Sequence, residues 1–549
     1  MQRSLVWALA GALLAAGGCA SSSKPAGKAE VPAGYNASDE TGVAPGHRYD
    51  QPMAKTNPNV VEETDTYYIT RYKKSDVIRV DDTHFRLPVM GIPFKIYKQD
   101  AEYFYTRTEK YSPEEIAARQ EKARAEEEAA KKRADELAGR TSPEPPPEPI
   151  EPPRAASGVR LVRAGAGLPQ KGQWRSNLAV ADVDGDGHLD IVAAPPRLSG
   201  RTQFYVFLGD GKGAFRSLDV RLTTADGKPL SRGVTYGGAQ VADFDGDGKA
   251  DVAVASHAGG VHVFLQRGPG LFQEDSRGLP GDLSAQALAA VDANGDGRPD
   301  LVVSRDSLEM RKSGFDEHQV RLFLNGGKSG WTYAPDGVVR ALYSNKIFPF
   351  DADGDGTPGF VTGSNYYYGV SLVWRLARPG VFEAENFDAI EPSAYHQSVA
   401  PGRFGAEGLP AFAALYSKAA GTPLQLVAGI NVYVHRKDGW IRVPVWRQVG
   451  YKGRVNAGMA MGDLDGDGLD DIVFPDEALR RLRIFFQTRR GTFEEAPEAA
   501  EPELDSPVVD VRLADLTGSG RKDVILAKTV YTEDAKDLGG LEVLLNRGR

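Results

Sequence analysis

Several stretches of this chain place Asp or Asn at alternate positions around glycine, the clearest being Asp182-Val183-Asp184-Gly185-Asp186-Gly187-His188-Leu189-Asp190. Alternating carboxylates in a tight turn gather oxygens on one side. An all-oxygen set suits a hard cation, and the many ligands at about 2.4 Å that such a loop can offer are what calcium prefers. In this reading Asp182, Asp184 and Asp186 ligate through their side chains and His188 through its main-chain carbonyl. Gly187 permits the turn, and Asp190 closes the cage from the start of the next strand. The closing acid comes at the ninth position with β-branched residues after it. An EF-hand would instead need Glu at the twelfth position and a following helix.

The same spacing recurs with Asp243, Asp245, Asp247, Lys249 and Asp251, with Asp292, Asn294, Asp296, Arg298 and Asp300, and with Asp463, Asp465, Asp467, Leu469 and Asp471. A fourth copy in chain order keeps Asp351, Asp353 and Asp355 but has Gly359 where the closing acid belongs. The loop at Arg403 retains only Glu407, and that at Asp515 has Thr517 and Ser519 in its middle. We expect four good calcium sites, one weak site and two empty turns. Zinc is disfavoured, because the histidines are scattered and there is no cysteine set.

The seven loops start at residues 182, 243, 292, 351, 403, 463 and 515, so their spacing runs from 49 to 61 residues. Such a period marks one supersecondary unit repeated. Within each unit an apolar strand precedes the loop and another follows it. A β-branched and aromatic strand comes next, as in Phe204-Tyr205-Val206-Phe207-Leu208 and Leu482-Arg483-Ile484-Phe485-Phe486, and an outer strand follows Gly-x-Phe. Four short strands per unit are the content of a propeller blade. The last unit ends at Leu541–Gly548 without an outer strand, and an unclaimed strand, Gly158–Val162, precedes the first. Pairing the two removes the free edge of an open array. The expected fold is therefore all-β, a seven-bladed β-propeller over residues 155–549.

These loops resemble the repeats of the FG-GAP/VCBS family, which also build the head propeller of integrin α subunits. The Phe-Gly and Gly-Ala-Pro signatures are poorly kept, with Ala193-Ala194-Pro195 the nearest approach. The resemblance implies calcium held structurally, and partner binding on the face away from the calcium loops. At ~1 mM calcium and a Kd of ~0.1 mM, one site stabilises the fold by about 1.4 kcal/mol.

The face opposite the Asp loops collects the turns entering each inner strand. These carry Trp174 and Arg175, Tyr236, Tyr343 with Asn345 and Lys346, Tyr395 with His396, and Tyr451 with Arg454; Tyr366, Tyr367 and Tyr368 join them from another turn. Aromatics mixed with Arg, Asn and His suit a surface for protein or glycan. The alternative is that they pack between blades. Two function classes follow: a binding or scaffold module, and a polysaccharide-acting enzyme on a propeller scaffold. No Ser/His/Asp order, paired-carboxylate cleft or cofactor fingerprint stands out, and His396 and His257 have no partner legible in sequence. The net charge of −9 without a dense basic face argues against nucleic acid as partner.

The N-terminal part has another logic. Arg3, the apolar run Leu5–Ala16 and the small residues Ala16-Gly17-Gly18 stand before Cys19, the one cysteine of the chain. That is a charged start, a short apolar core and a small-residue cleavage site. It resembles the lipobox of bacterial lipoproteins, although Ala16 stands where Leu is usual. The resemblance implies a signal over 1–18, lipidation of Cys19 and attachment to the cell envelope, with the absence of Asp after the cysteine favouring an outer membrane. An ordinary secretory signal is the alternative. Residues 19–60 read as a disordered tether, 61–111 as a small β unit, and 112–140 as a charged helix capped by Ser112-Pro113-Glu114-Glu115. Residues 141–154 form a Pro/Glu linker.

Overall fold

The structure is a computed structural model that describes residues 60–109 and 158–548, apart from stretches that include 75–77, 80–83, 87–92, 306–318, 339–343, 364–372, 386–389, 421–424, 454–456, 498–502 and 530–537. Cys19 and nearly all of the segments expected as signal, tether, charged helix and Pro/Glu linker lie outside the described residues. No helix among the described residues is long and apolar enough to cross a membrane. Two compact units are present.

In the smaller unit, strands Val60–Glu63, Tyr67–Lys73, Tyr103–Glu109 and Lys98–Gln99 form one antiparallel sheet, and Ile78–Arg79, His84–Arg86 and Pro93–Lys95 form another. Within the first sheet, Tyr103–Glu109 pairs with both Tyr67–Lys73 and Lys98–Gln99. It buries Phe104 and Thr106 and leaves Tyr103, Tyr105 and Arg107 partly exposed, the alternation of a half-buried strand.

The larger unit is a β-propeller. Its first sheet runs outward through Ala179–Ala181, Asp190–Ala193, Tyr205–Gly209 and Phe215–Ser217, each antiparallel to the next. The pattern repeats in the six sheets that follow. The second gains a fifth strand, Arg221–Thr223, paired parallel to Leu271–Glu274. The fifth is much larger: Tyr395–Phe404, Leu409–Ala420, Gln425–Arg436 and Gly439–Val449 have 10 to 12 residues each, against 3 to 5 in the first sheet. The last sheet takes its outer strand, Leu161–Ala164, from before the first repeat, pairing Leu161 with Asn546 and Ala164 with Val543.

Second strands such as Ile191-Val192-Ala193 and Val252-Ala253-Val254-Ala255 are continuous apolar runs because both faces of every sheet are covered. Successive side chains point to opposite neighbours. Val192 packs with Val252 of the second sheet, whereas Ile191 packs with Ile525 and Val543 of the last. That second cluster closes the ring.

Candidate metal centre

The Asp loops join first and second strands, so all lie on one face. The first acid folds its own loop. Asp182 Oδ1 accepts the N–H groups of Gly185 (2.7 Å) and Asp186 (3.2 Å), and Oδ2 accepts that of Gly187 (2.9 Å). Gly185 and Gly187 have φ of 77° and 86°, and a Cβ at either would meet nothing within 4 Å. Backbone conformation rather than space therefore demands glycine. Asp243, Asp292, Asp351 and Asp463 bond their loops in the same way.

The closing acid is fully buried. Asp190 Oδ2 accepts the N–H of Val183 and Oδ1 that of Gly209, both at 2.8 Å, so one carboxylate latches the loop to the third strand. Asp251, Asp300, Asp471 and Asp523 repeat both bonds in their own blades. Burial, aided by the neighbouring carboxylates, pushes Asp190 and Asp300 up to about 6, Asp251 up to about 7 and Asp471 up to about 8. Such a group is costly to ionise beside other acids, and a divalent cation offsets both desolvation and repulsion.

Three sets of carboxylates converge: Asp182, Asp184 and Asp190; Asp243, Asp245 and Asp251; and Asp463, Asp465 and Asp471, each with one oxygen per residue inside 4.8 Å of the others. These sets can hold a metal ion, and their oxygen chemistry fits calcium. A scan against family models matches the FG-GAP-like repeat at residues 182–254, 243–303 and 463–526, the segments that contain these three sets.

This chain carries FG-GAP-like repeats.

Among curated relatives of these repeats, integrin alpha pat-2 of Caenorhabditis briggsae is 27% identical over 225 residues, covering 34% of this chain and 17% of the relative. Integrin alpha-4 of Xenopus laevis is 29% identical over 144 residues, covering 23% and 14%. The chain thus spans less than a fifth of either relative. Among solved structures, the Neurospora crassa Pan2 WD40 domain aligns with 72% of this chain and 98% of its own, at 12% identity and a TM-score of 0.39.

Not every FG-GAP-like loop is equal. The third acids, Asp186, Asp247 and Asp467, fall outside the convergent sets; their Oδ1 atoms accept the N–H of His188, Lys249 and Leu469. At the positions of the convergent sets the Asp292 loop has two carboxylates, Asp292 and Asp300, since Asn294 is neutral and donates to Asp296 at 3.1 Å. In that loop Asp296 also pairs with Arg298. The Asp351 loop has no closing acid, and its Asp353 is engaged by Arg375 and by His435 at 3.3 Å. Sequence reading missed these two side chains, which arrive from the third strands of the fourth and fifth sheets. In the seventh repeat the latch Asp523 survives although the middle acids are gone, showing that latch and acid set are separable.

The opposite face differs from expectation. Trp174, Asn345, Lys346, His396 and Tyr451 are each 2–3% exposed and offer no surface to a ligand, a correction to their expected role. Their rings and polar heads are used internally. Trp174 packs edge-on against Tyr205 and Phe207, and the Tyr451 hydroxyl donates to Asp476 at 3.0 Å. His396 Nε2 lies 3.1 Å from the Tyr433 hydroxyl, and burial pulls its pKa down to about 4. Packing between sheets claims large side chains that the sequence placed at a rim. Arg175, Tyr236 and Tyr395 remain partly exposed, with Arg175 lying over the Tyr236 ring and His257 stacked on it. Tyr343, Tyr366, Tyr367, Tyr368 and Arg454 lie outside the described residues.

Proposed function

We infer that this chain is a calcium-stabilised module of the cell envelope, lipid-anchored through Cys19 at an outer membrane, whose propeller binds or scaffolds a protein or glycan partner. The observation that carries the calcium part is the recurrence of three convergent Asp sets on one face of a closed ring. Calcium in these loops stiffens the scaffold, and the partner meets the other face through Arg175, Tyr236 and Tyr395. The integrin relatives support the repeat architecture in this reading; the ligand is read from this chain's own rim. His396 and His257 are both committed to packing, which favours binding over hydrolysis or elimination at a polysaccharide.

The test uses the full chain. With calcium present, an envelope protein or glycan is captured by the natural chain and lost with Tyr236→Ala combined with Tyr395→Ala, while Cys19→Ala moves the protein from the membrane to the soluble fraction. Unchanged capture by the rim variant contradicts the assigned face, and unchanged fractionation contradicts the anchor.

A further inference from the structure

At four junctions between neighbouring blades the loops are joined through single buried amide side chains. Gln266 lies two residues before the end of the third strand of the second blade, Gly260–Gly268, and is 6% exposed. Its Nε2 donates to the Val183 carbonyl, inside the first loop, at 3.1 Å. Its own N–H donates to Asp251, the closing acid of the second loop, at 2.7 Å. Asn325 repeats the arrangement one blade on. Its Nδ2 donates to the Phe244 carbonyl of the second loop at 2.8 Å, and its N–H donates to Asp300 of the third loop at 2.7 Å.

The chain of bonds is continuous. Asp190 holds the Val183 N–H, the Val183 carbonyl holds Gln266, and Gln266 holds Asp251. Asp251 holds the Phe244 N–H, and the Phe244 carbonyl holds Asn325, which holds Asp300. A second run appears on the other side of the ring: Gln487 Nε2 donates to the Arg403 carbonyl and its N–H to Asp471, while Asn546 joins the Leu464 carbonyl to Asp523. A position that repeats as Gln or Asn, always with its side chain on the preceding loop and its backbone on its own latch, is a built link.

The linked atoms are close to the acids that would hold an ion. The Val183 carbonyl shares a peptide unit with the Asp184 nitrogen, and the Phe244 carbonyl shares one with that of Asp245. An ion that drew in Asp184 would set the tilt of that peptide, and Gln266 would pass the displacement to Asp251. A contiguous hydrogen-bonded path with each member buried is a physical route for coupling between sites.

We propose that Gln266 and Asn325 are positioning residues that couple the cation loops of the first three blades, so that filling one loop raises the affinity of the next. This rests on the calcium reading above. The measurement is amide exchange of the full chain at increasing calcium. Exchange at 244–248 reports the midpoint of the second loop alone, and exchange at 464–468 that of the sixth as an internal reference. Removing the first site with Asp184→Asn should move the second-loop midpoint to about fivefold higher calcium, a coupling of ordinary size, and leave the sixth unchanged. With Gln266→Leu also present, the shift should shrink below twofold. Asn325→Leu provides the same comparison between second and third loops, should Gln266→Leu fail to fold. A second-loop midpoint indifferent to Asp184→Asn, or one that moves equally with and without the amide, overturns the coupling while leaving calcium binding intact. Loops whose exchange never responds to calcium overturn the calcium reading itself.

Discussion

Both oxygens of Asp190 accept a main-chain N–H, from Val183 and from Gly209. Asn at that position would turn an NH₂ toward one of the two donors. Asp190→Asn should therefore cost about 1–3 kcal/mol of stability with chelator present as well as with calcium. Asp184→Asn should cost about 1.4 kcal/mol at ~1 mM calcium and little without it. Urea unfolding in both conditions separates the two roles, and equal losses for both variants would show that the latch is not distinct from the ion set. The acids themselves were legible, because their spacing is written in the covalent chain. The double duty of the closing acid was not, although one signal was available: Asp523 persists in a loop that has lost its middle acids. The five rim residues that prove buried, Trp174, Asn345, Lys346, His396 and Tyr451, share one physical reason. Whether Trp174 or Lys346 faces water depends on neighbouring blades, which no local pattern specifies.

Elements that lost their acids compensate differently. In the fifth blade the loop at Arg403 gives way to four strands of 10 to 12 residues. Its second and third strands pair from Ala411 with Val434 to Ala420 with Gln425. A longer hydrogen-bonded ladder holds this blade without a cation, so chelation should speed amide exchange around 182–190, 243–251 and 463–471 but leave 411–419 unchanged. Uniform acceleration would contradict that division. In the second blade, His262 bonds Glu274 at 2.8 Å and the Gly259 carbonyl at 2.7 Å. Burial disfavours the imidazolium, yet these bonds outweigh it and hold the pKa above 6.5, while the His262 bond holds Glu274 below 4.5. A raised histidine stabilises fully below its unfolded value and loses the effect as pH rises through the folded one. A lowered Glu does so above its unfolded value and loses it as pH falls. The pair is thus strongest between about pH 4.5 and 6.5, and His262→Gln should lose more stability at pH 5.5 than at pH 8.5. Strands and loops of the repeats were readable from their period; the extension of the fifth blade was not, because it appears in sequence only as decay.

The whole ring is tied across its middle as well as around its rim. Lys346, on the inner strand of the fourth sheet, is buried and donates to the Val509 carbonyl at 2.6 Å, with Asp510 at 3.2 Å on the inner strand of the last. Asp510 also accepts the Leu178 N–H at 2.8 Å and pairs with Arg512 at 3.1 Å. One cluster therefore joins the fourth, seventh and first blades where the ring closes. Removing one partner of a buried pair leaves a poorly compensated charge, so Lys346→Met should destabilise by about 3–5 kcal/mol, and adding Asp510→Asn should recover part of the loss. Independent, additive losses in thermal unfolding would show that the two do not act together. Ring closure was legible from an unclaimed strand before the first repeat, whereas this cross-link was not, since Lys346 and Asp510 are separated by 164 residues. The most direct test of the calcium-stabilised propeller is calorimetric titration of the full chain with calcium, paired with thermal unfolding in calcium and in chelator. Saturable calcium binding and a higher melting temperature in calcium, with both effects reduced by Asp184→Asn, are the predicted result. No binding heat together with identical melting in calcium and chelator would contradict it.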